Sequence, residues 1–555
     1  MLKLRQSEFD ALLRHAEAAY PQECCGALLG TRDPDVREVF ATVPCTNAQA
    51  DSPQTRYSID PRELVRIQRE ARERGWEIVG FYHSHPDHPA RWSTTDLEDA
   101  HWIGCSYVIV SVEGSRAAAA NSFVLTGTRE EDKALSDEEI VIEQLPFTGP
   151  RCQPGNLIGY NRVFLMLRFS TAGESHGEAL IALLSGMPAG LGVDLDFVNR
   201  ELWRRQQGYG RGGRMKIERD TAHILSGVRH GHTIGTPIAI QIANADWKNW
   251  TESLPVEEGD PAKHKRVASP RPGHADLAGA LKYGFPEARY VLERASARES
   301  TARVAGGALA KLLLRELGIE VLSHVIAVGS ARLDTPVTWE AIQAVAAKED
   351  VLLSCIDSTC EARMKEQVDH ALRTGDSVGG IFEVVAHNVP PGLGTYVNWD
   401  ERLDTALAAA VMSLQAVKGV EIGDAVEAAR SLGSTVHDEI GYSSGSSFAG
   451  FTRGSNHAGG LEGGVSNGED IRIRGYLKPI STLRRPLGSV DFASREPVKA
   501  AYERSDVCVV PAAGVAAEAM VALTLARFAL EKFGGDSLVE LKRNFEGYCQ
   551  QLRNF

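Results

Sequence analysis

Along the first 128 residues, apolar and polar positions alternate between helical and strand-like spacing. Over residues 7–20 the apolar positions recur with a helical period, and 25–29 follow as a short apolar strand. A second helix is predicted over 61–74, with Asp60 as its N-cap and Pro61 in the first turn. Residues 77–83 and 106–112 read as strands, the latter through its β-branched side chains. Between 129 and 165 the pattern stops. REEDKALSDEE is a charged run read as a solvated face or loop, and FTGPRCQPGN is rich in turn residues. This gives a first domain over 1–150, a linker over 151–165 and a second domain over 166–555, with Met166 placed where an independent start would fall. The second part is glycine-rich, with helices predicted at 299–317, 361–374 and 513–533 and strands at 321–328 and 380–387. The predicted class is a two-domain α/β (α+β) protein.

Composition narrows the picture. A chain of 555 residues exceeds one hydrophobic core, and 43% hydrophobic with 24% charged residues is ordinary for a folded soluble protein. Apolar stretches are short or interrupted, so no membrane span is expected. The polar N-terminus is unlike a secretory signal, and a cytoplasmic location is the expectation. The first 150 residues hold 15 Lys+Arg against 25 Asp+Glu, which places −10 of the net −13 there and leaves −3 for the remainder. An acidic first segment argues against a nucleic-acid ligand. The basic clusters of the second suit a small anionic substrate. Nine scattered cysteines without a CxxC pair point to reduced thiols.

The first candidate site is His83-Ser84-His85-Pro86 followed by Ser93-Thr94-Thr95-Asp96. Two imidazoles two residues apart on a strand face the same side, a chelating arrangement. Asp96 supplies a third ligand and leaves the fourth tetrahedral position that catalytic zinc keeps for water. Glu23 is the candidate general base, and the Ser93 hydroxyl the candidate oxyanion donor. STTD is also a capping-box pattern with Ser93 at the N-cap, and a cap would fix where Asp96 points. His88 and His101 lack such a pairing and are read as surface or packing residues. Taken together, E…HSHPDHPARWSTTD resembles the JAMM (MPN+, Mov34-type) metallopeptidases over about residues 1–128. The resemblance implies zinc on His83, His85 and Asp96, Glu23 as general base and Ser93 assisting. It also implies hydrolysis of peptide or isopeptide bonds after a diglycine on ubiquitin-like or sulfur-carrier proteins. Trp92 departs from the small residue or proline expected before the serine, leaving the ligand set intact. The diglycine Gly212-Gly213 of this chain lies inside a basic loop of the second domain and is not read as a self-cleavage target.

The second candidate site starts from cations. Arg204, Arg205, Arg211 and Arg214 surround the glycine-rich stretch QQGYGRGGR, which suits phosphate and carboxylate recognition or, alternatively, a mobile solvent loop. Lys282, Arg294, Arg298, Arg303, Lys418 and Lys478 add further positive charge, several beside Gly or Ser. His176 in GESHG and His274 in RPGHAD are candidate acids for a leaving group or cofactor, or else satisfied structural histidines. Spacing alone does not choose between these. RFSTAGESHG, RPGHADLAGALKYG, RASARESTARVAGGALA, SLQAVKGVEIGD, SNHAGGLEGGVSNG, LKPIST and RSDVCVVPAAGVAAEAM, in that order, resemble the chorismate synthases over about 165–555.

That resemblance implies anti-1,4-elimination of phosphate from 5-enolpyruvylshikimate 3-phosphate with reduced FMN, on a β-α-β sandwich that forms a homotetramer. It implies that His176 protonates the departing phosphate, that His274 lies beside flavin N1 and that Asp506 assists proton removal near N5. Flavin positions map to Arg294, Ala295, Ser296, Gln415, Ala416, Gly463, Lys478, Pro479, Ile480, Ser481, Thr482 and Arg504. Arg205 and Arg211 map to phosphate or nicotinamide-nucleotide contacts, NADPH being the flavin reductant of some members. Gln415 stands where some relatives carry asparagine. The N-terminal segment lacks a dinucleotide fingerprint, so it is not expected to be the reductase. Two other readings of that segment are a binding or assembly module without turnover, and an artefactual fusion of adjacent genes.

Overall fold

The computed structural model describes residues 1–32, 36–49, 52, 54–129, 132–143, 167–212, 219–443, 448, 450–503 and 506–555. Two compact units form, Met1–Asn156 and Leu157–Phe555. The proposed linker and Met166 lie outside the described residues.

The first unit is built on β1 (Leu2–Arg5), β2 (Cys25–Arg32), β3 (Arg37–Cys45), β4 (Glu77–Pro86), β5 (Ser106–Glu113), β6 (Arg116–Thr126), β7 (Ala134–Glu138) and β8 (Ile140–Glu143). They form one mixed sheet in the order β7-β6-β5-β4-β2-β3-β1-β8. Helix α1 (Gln6–Ala19) covers one face through Leu12 and Ala16, packed with Leu28, Tyr82 and Val108. Helix α2 (Pro61–Glu73) covers the other through Ile67 and Ala71, packed with Ala27, Phe81 and Ile109. A sheet covered on both faces needs strands apolar on both sides, which is why 25–29 and 106–112 read as continuous apolar runs. Asp60 caps α2 by accepting from the Arg62 amide at 2.7 Å.

The charged run at 129–139 is not a plain boundary loop. Its second half is β7, antiparallel to β6, and β8 follows on the opposite edge beside β1. Edge strands tolerate charge because one side faces water, and charge there discourages edge-to-edge association. Glu138 is the exception: it is buried, pairs with Arg37 at 2.8 Å and accepts from the Ser122 hydroxyl at 2.7 Å.

The second unit is a β-α-β sandwich, as the resemblance implied. Helices Ser300–Arg315 and Val510–Phe533 pack on each other. The first of them lies against an antiparallel sheet containing Arg168–Ala172, Ala179–Ser185 and Ile238–Ala243. The second lies against a five-stranded sheet containing Glu320–Val328, Gly380–His387, Ile471–Leu477 and Val417–Ile422. The layers approach closely at Gly306-Gly307. A Cβ on Gly306 would sit 2.4 Å from Phe169 Cε2, and one on Gly307 would sit 2.3 Å from Ala519 Cβ. Helix 358–374 starts three residues earlier than expected because Asp357 caps it, accepting from the Cys360 amide at 2.7 Å. Val510–Phe533 is, among the described residues, the one helix long and apolar enough to cross a membrane, and most of it is buried. The eight described cysteines are buried thiols.

At the centre of the five-stranded sheet, Glu383 is fully buried and meets His324 at 3.0 Å, Arg472 at 3.1 Å and Arg474 at 2.9 Å. Burial works against its carboxylate, but the His324 hydrogen bond and both arginines outweigh it and hold the group at about 2. Because this lies below the ordinary 4.5, the stabilisation is complete above that value and is lost as pH falls from 4.5 toward 2. Glu383→Gln is expected to lower unfolding free energy at neutral pH by about 1–3 kcal/mol in urea titrations, since His324 loses its charged partner while Arg472 and Arg474 keep only Asp424 and Glu421. An unchanged midpoint would contradict this.

Candidate active sites

In the first unit, His83 and His85 project from one face of β4 and their Nε2 atoms are 3.1 Å apart. Asp96 brings Oδ1 to 3.1 Å from His83 Nε2 and Oδ2 to 3.6 Å from His85 Nε2. Two ligands of a tetrahedral zinc with bonds of about 2.0–2.1 Å are roughly 3.3 Å apart, so the three groups fit one such ion. Among the described residues, they form the one group of three or more His, Cys, Asp and Glu side chains convergent enough to hold a metal. Asp96 arrives by the predicted cap. On helix Thr94–Asp99 its amide donates to Ser93 Oγ at 3.2 Å, and the Ser93 amide donates to Asp96 Oδ2 at 2.6 Å.

The outer contacts hold these rings. His85 Nδ1 lies 3.1 Å from the Pro89 carbonyl, which orients the ring with Nε2 toward Asp96. His83 Nδ1 is buried without a hydrogen-bond partner, and the Tyr57 ring stacks on His83 with centroids 4.6 Å apart. Burial lowers the His83 imidazole. It also works against the Asp96 carboxylate, yet the hydrogen bonds from both histidines hold that group well below the usual range. Glu23 reaches the site through strand register. Cys25 is opposite His83, and the Ser84 amide donates to the Cys24 carbonyl at 3.2 Å, so the residue before them falls beside His85. Burial pushes Glu23 up to about 7, with His85 opposing and Asp96 adding to the rise. Trp92, His88 and His101 are exposed.

In the second unit the two singled-out histidines share an arrangement. His176, in the loop after Arg168–Ala172, places Nδ1 2.8 Å from Glu293 Oε1, and its own amide donates to Oε2 at 2.8 Å. His274 places Nδ1 2.5 Å from Asp276 Oδ1. Asp276 is fully buried and also accepts from Arg271 Nε at 2.8 Å. Burial would raise it, but the His274 and Arg271 hydrogen bonds hold it well below the carboxylate range.

A line of contacts joins the two histidines. Arg294 donates to the Gly173 carbonyl and to Thr171, whose hydroxyl donates to Glu299 at 2.6 Å. Gln415 Nε2 donates to the other Glu299 oxygen at 3.0 Å. The Lys478 amide donates to the Ala416 carbonyl, and Lys478 Nζ donates to the Gly273 carbonyl at 2.6 Å and to Ser481 Oγ at 3.0 Å. Arg271 Nη1 closes the line on Thr482 Oγ1 at 2.9 Å. Gly273 has φ +78°, and a Cβ there would fill space 3.4 Å from Ser481 Oγ and 3.6 Å from Lys478 Nζ. Cations, hydroxyls and an open glycine turn together fit a phosphate-bearing flavin. Ser296 caps Arg298 by accepting from its amide, with Ala295 one residue upstream. Pro479 and Ile480 continue the Lys478 segment, and the Ile480 carbonyl accepts from Ser377 Oγ at 2.7 Å.

Two of the basic residues face elsewhere. Arg204 is turned into the core, bonded to Glu201 and to Glu518, which also pair with Lys311. Arg298 is buried against Asp220 and Asn244. Neither is available to grip an anion; in both cases a buried carboxylate needed a counter-charge. Arg205 is buried too, donating to Ser300 Oγ and the Ala297 carbonyl, and burial takes it down to about 9, with Asp220 opposing. Arg211 pairs with Asp506 at 3.2 Å, and the Gly212 amide donates to Asp506 at 2.6 Å. Gly463 stands apart from the other flavin positions. Its turn packs at the N-terminal end of helix Leu403–Met412, whereas Gln415 follows the C-terminal end, about 15 Å away at 1.5 Å per residue. Arg214 and Arg504 lie outside the described residues.

Glu293, Asp276 and Trp250, whose ring stacks on His176 with centroids 3.9 Å apart, are not singled out by the sequence. Asp276 is part of RPGHAD and Glu293 adjoins Arg294, but neither motif tells which histidine the carboxylate meets.

Residues 167–530 match the family model for chorismate synthase. Residues 5–125 match that for prokaryotic homologs of the JAB domain. The chain is similar to the chorismate synthase of Koribacter versatilis, 76% identical over 393 residues that make up 70% of this chain and 100% of that protein. That of Acidobacterium capsulatum is 70% identical over the same shares. A crystal structure of chorismate synthase is 40% identical with a TM-score of 0.56, covering 70% of this chain and 99% of that one.

Proposed function

The chain belongs to the chorismate synthase family, and from that premise we propose that its two units carry two separate active sites. The synthase site is carried above all by one observation: two histidines, each with a buried carboxylate on Nδ1, stand along one line of cationic and hydroxyl-bearing residues. The substrate is 5-enolpyruvylshikimate 3-phosphate, and the products are chorismate and phosphate. His176 gives its proton to the departing phosphate. His274 would stand beside flavin N1, and Asp506, held by Arg211, would assist removal of the C6 proton. Arg294, Ser296, Gln415, Ala416 and the 478–482 segment would hold the flavin, with Arg205 and Arg211 on the phosphate side. Reduced FMN, when bound, lends electron density to the breaking C–O bond and recovers it as hydrogen leaves. Gly463, at the other end of helix Leu403–Met412 from Gln415, remains a further flavin position of this reading, and a homotetramer is the family expectation. NADPH serves as the flavin reductant in this reading, and the location is cytoplasmic.

Anaerobic incubation of the full chain with the phosphate ester and chemically reduced FMN is expected to release chorismate and phosphate in equal amounts. Release of phosphate without chorismate would overturn the assignment.

For the first unit the reading is a zinc-dependent peptidase of the JAMM type. The convergence of His83, His85 and Asp96 beside Glu23 supports it. These three side chains would hold the metal, and Glu23, buried and pushed up to about 7, would take the proton in attack on the carbonyl, with Ser93 Oγ donating to the oxyanion. Zinc, when bound, supplies a Lewis acid. The partner would be a ubiquitin-like or sulfur-carrier protein with a diglycine end. Zinc content of the purified chain near one per polypeptide is the expected result.

A further inference from the structure

Resting on the reading of His176 as the acid for the departing phosphate, we propose that Glu293 and Trp250 are positioning residues for that histidine. Glu293 fixes which nitrogen faces the reaction, and Trp250 fixes the plane of the ring. Glu293 grips the residue twice, with Oε1 on the ring Nδ1 and Oε2 on the backbone amide, each at 2.8 Å. A carboxylate bridging ring and backbone leaves the imidazole almost no rotation about either side-chain bond and settles which ring nitrogen is turned toward Glu293. The Ser175 amide donates to the Glu293 carbonyl at 3.0 Å, so the loop itself is tied to helix Arg289–Ala295.

Burial works against the Glu293 carboxylate, but the hydrogen bonds from His176, together with Arg289 Nη1 at 3.3 Å, hold it below its ordinary value, so it keeps its charge against the ring. Trp250 stacks on the imidazole with centroids 3.9 Å apart and planes 27° from parallel. Its indole Nε1 donates to Asp246 at 3.0 Å, which sets the plane. Lys265 Nζ lies 3.9 Å from the same ring's centroid and Arg289 lies 5.3 Å away, so the indole faces cations as well as the imidazole. Neither residue touches a reacting atom. They act through His176, as the orienting carboxylate does in a hydrolase triad.

The test is the pH dependence of turnover in the full chain with reduced FMN. Glu293→Gln keeps the shape but removes the charge. Turnover at neutral pH should fall by about 10–100-fold, KM should stay near wild type, and the alkaline limb of the kcat profile should move down by about one pH unit. A wild-type profile would overturn the role of Glu293. If that variant does not fold, Glu293→Asp decides: it keeps the charge but draws it back by one methylene, so kcat should fall with the limb in place. Wild-type kcat in Glu293→Asp would overturn the proposal. Trp250→Phe, which keeps a stacking ring but loses the Asp246 bond, should fall between wild type and Trp250→Ala in kcat; wild-type kcat in Trp250→Ala would remove Trp250 from the account. His176→Ala in parallel separates two kinds of failure. Full turnover in that variant would reject His176 as the acid, whereas a dead His176→Ala beside an unaltered Glu293→Gln would reject the positioning alone.

Discussion

His176→Ala and His274→Ala are each expected to slow chorismate formation by about two to four orders of magnitude, the range for removing a placed general acid. The two losses should differ in kind. His176 sits against Trp250 and Glu293, so its loss should act on departure of phosphate while flavin binding, followed by fluorescence under nitrogen, stays intact. His274 is bonded to Asp276 within a network that includes Arg271 and Thr482. Its loss should weaken flavin binding as well as turnover. Unchanged turnover in either variant would reject that residue's role. Residual activity above the uncatalysed rate is expected in both, because cations and flavin remain.

The second large effect belongs to the first unit. His83→Ala removes a buried ligand from a three-residue set whose ligand atoms all lie within 4.8 Å of one another. It should abolish zinc retention through gel filtration, read by elemental analysis. Glu23→Gln should keep the zinc and lose about 10²–10⁴-fold in hydrolysis of a diglycine-linked substrate, since only the proton acceptor is gone. Equal hydrolysis by wild type and Glu23→Gln would leave a metal-stabilised binding module as the better reading.

Much of both sites was legible because it rests on local chemistry. Alternate residues on a strand share a face, so His83 and His85 had to converge, and a capping box at Ser93 had to aim Asp96. Ordered motifs identified the second unit without any tertiary information. What stayed hidden depends on contacts between distant segments. Glu293 is 117 positions from His176, and nothing in GESHG shows that a helix far along the chain supplies its partner. Arg204 and Arg298 looked like ligand cations because a sequence shows charge but not the buried carboxylates that claim it. The strand at Ala134–Glu138 was masked by its charges, which suit a sheet edge as well as a loop.

The central claim is that two self-contained sites share one polypeptide. Relatives of 393 residues are matched over their full length by 70% of this chain, so the synthase unit should need nothing from the first. The most direct measurement compares the full chain with a form beginning near residue 160, each assayed anaerobically for chorismate with zinc present and after chelation. All four rates should coincide. A shortened form that folds and binds flavin but turns over slowly, or a full chain that loses chorismate formation on chelation, would contradict that independence.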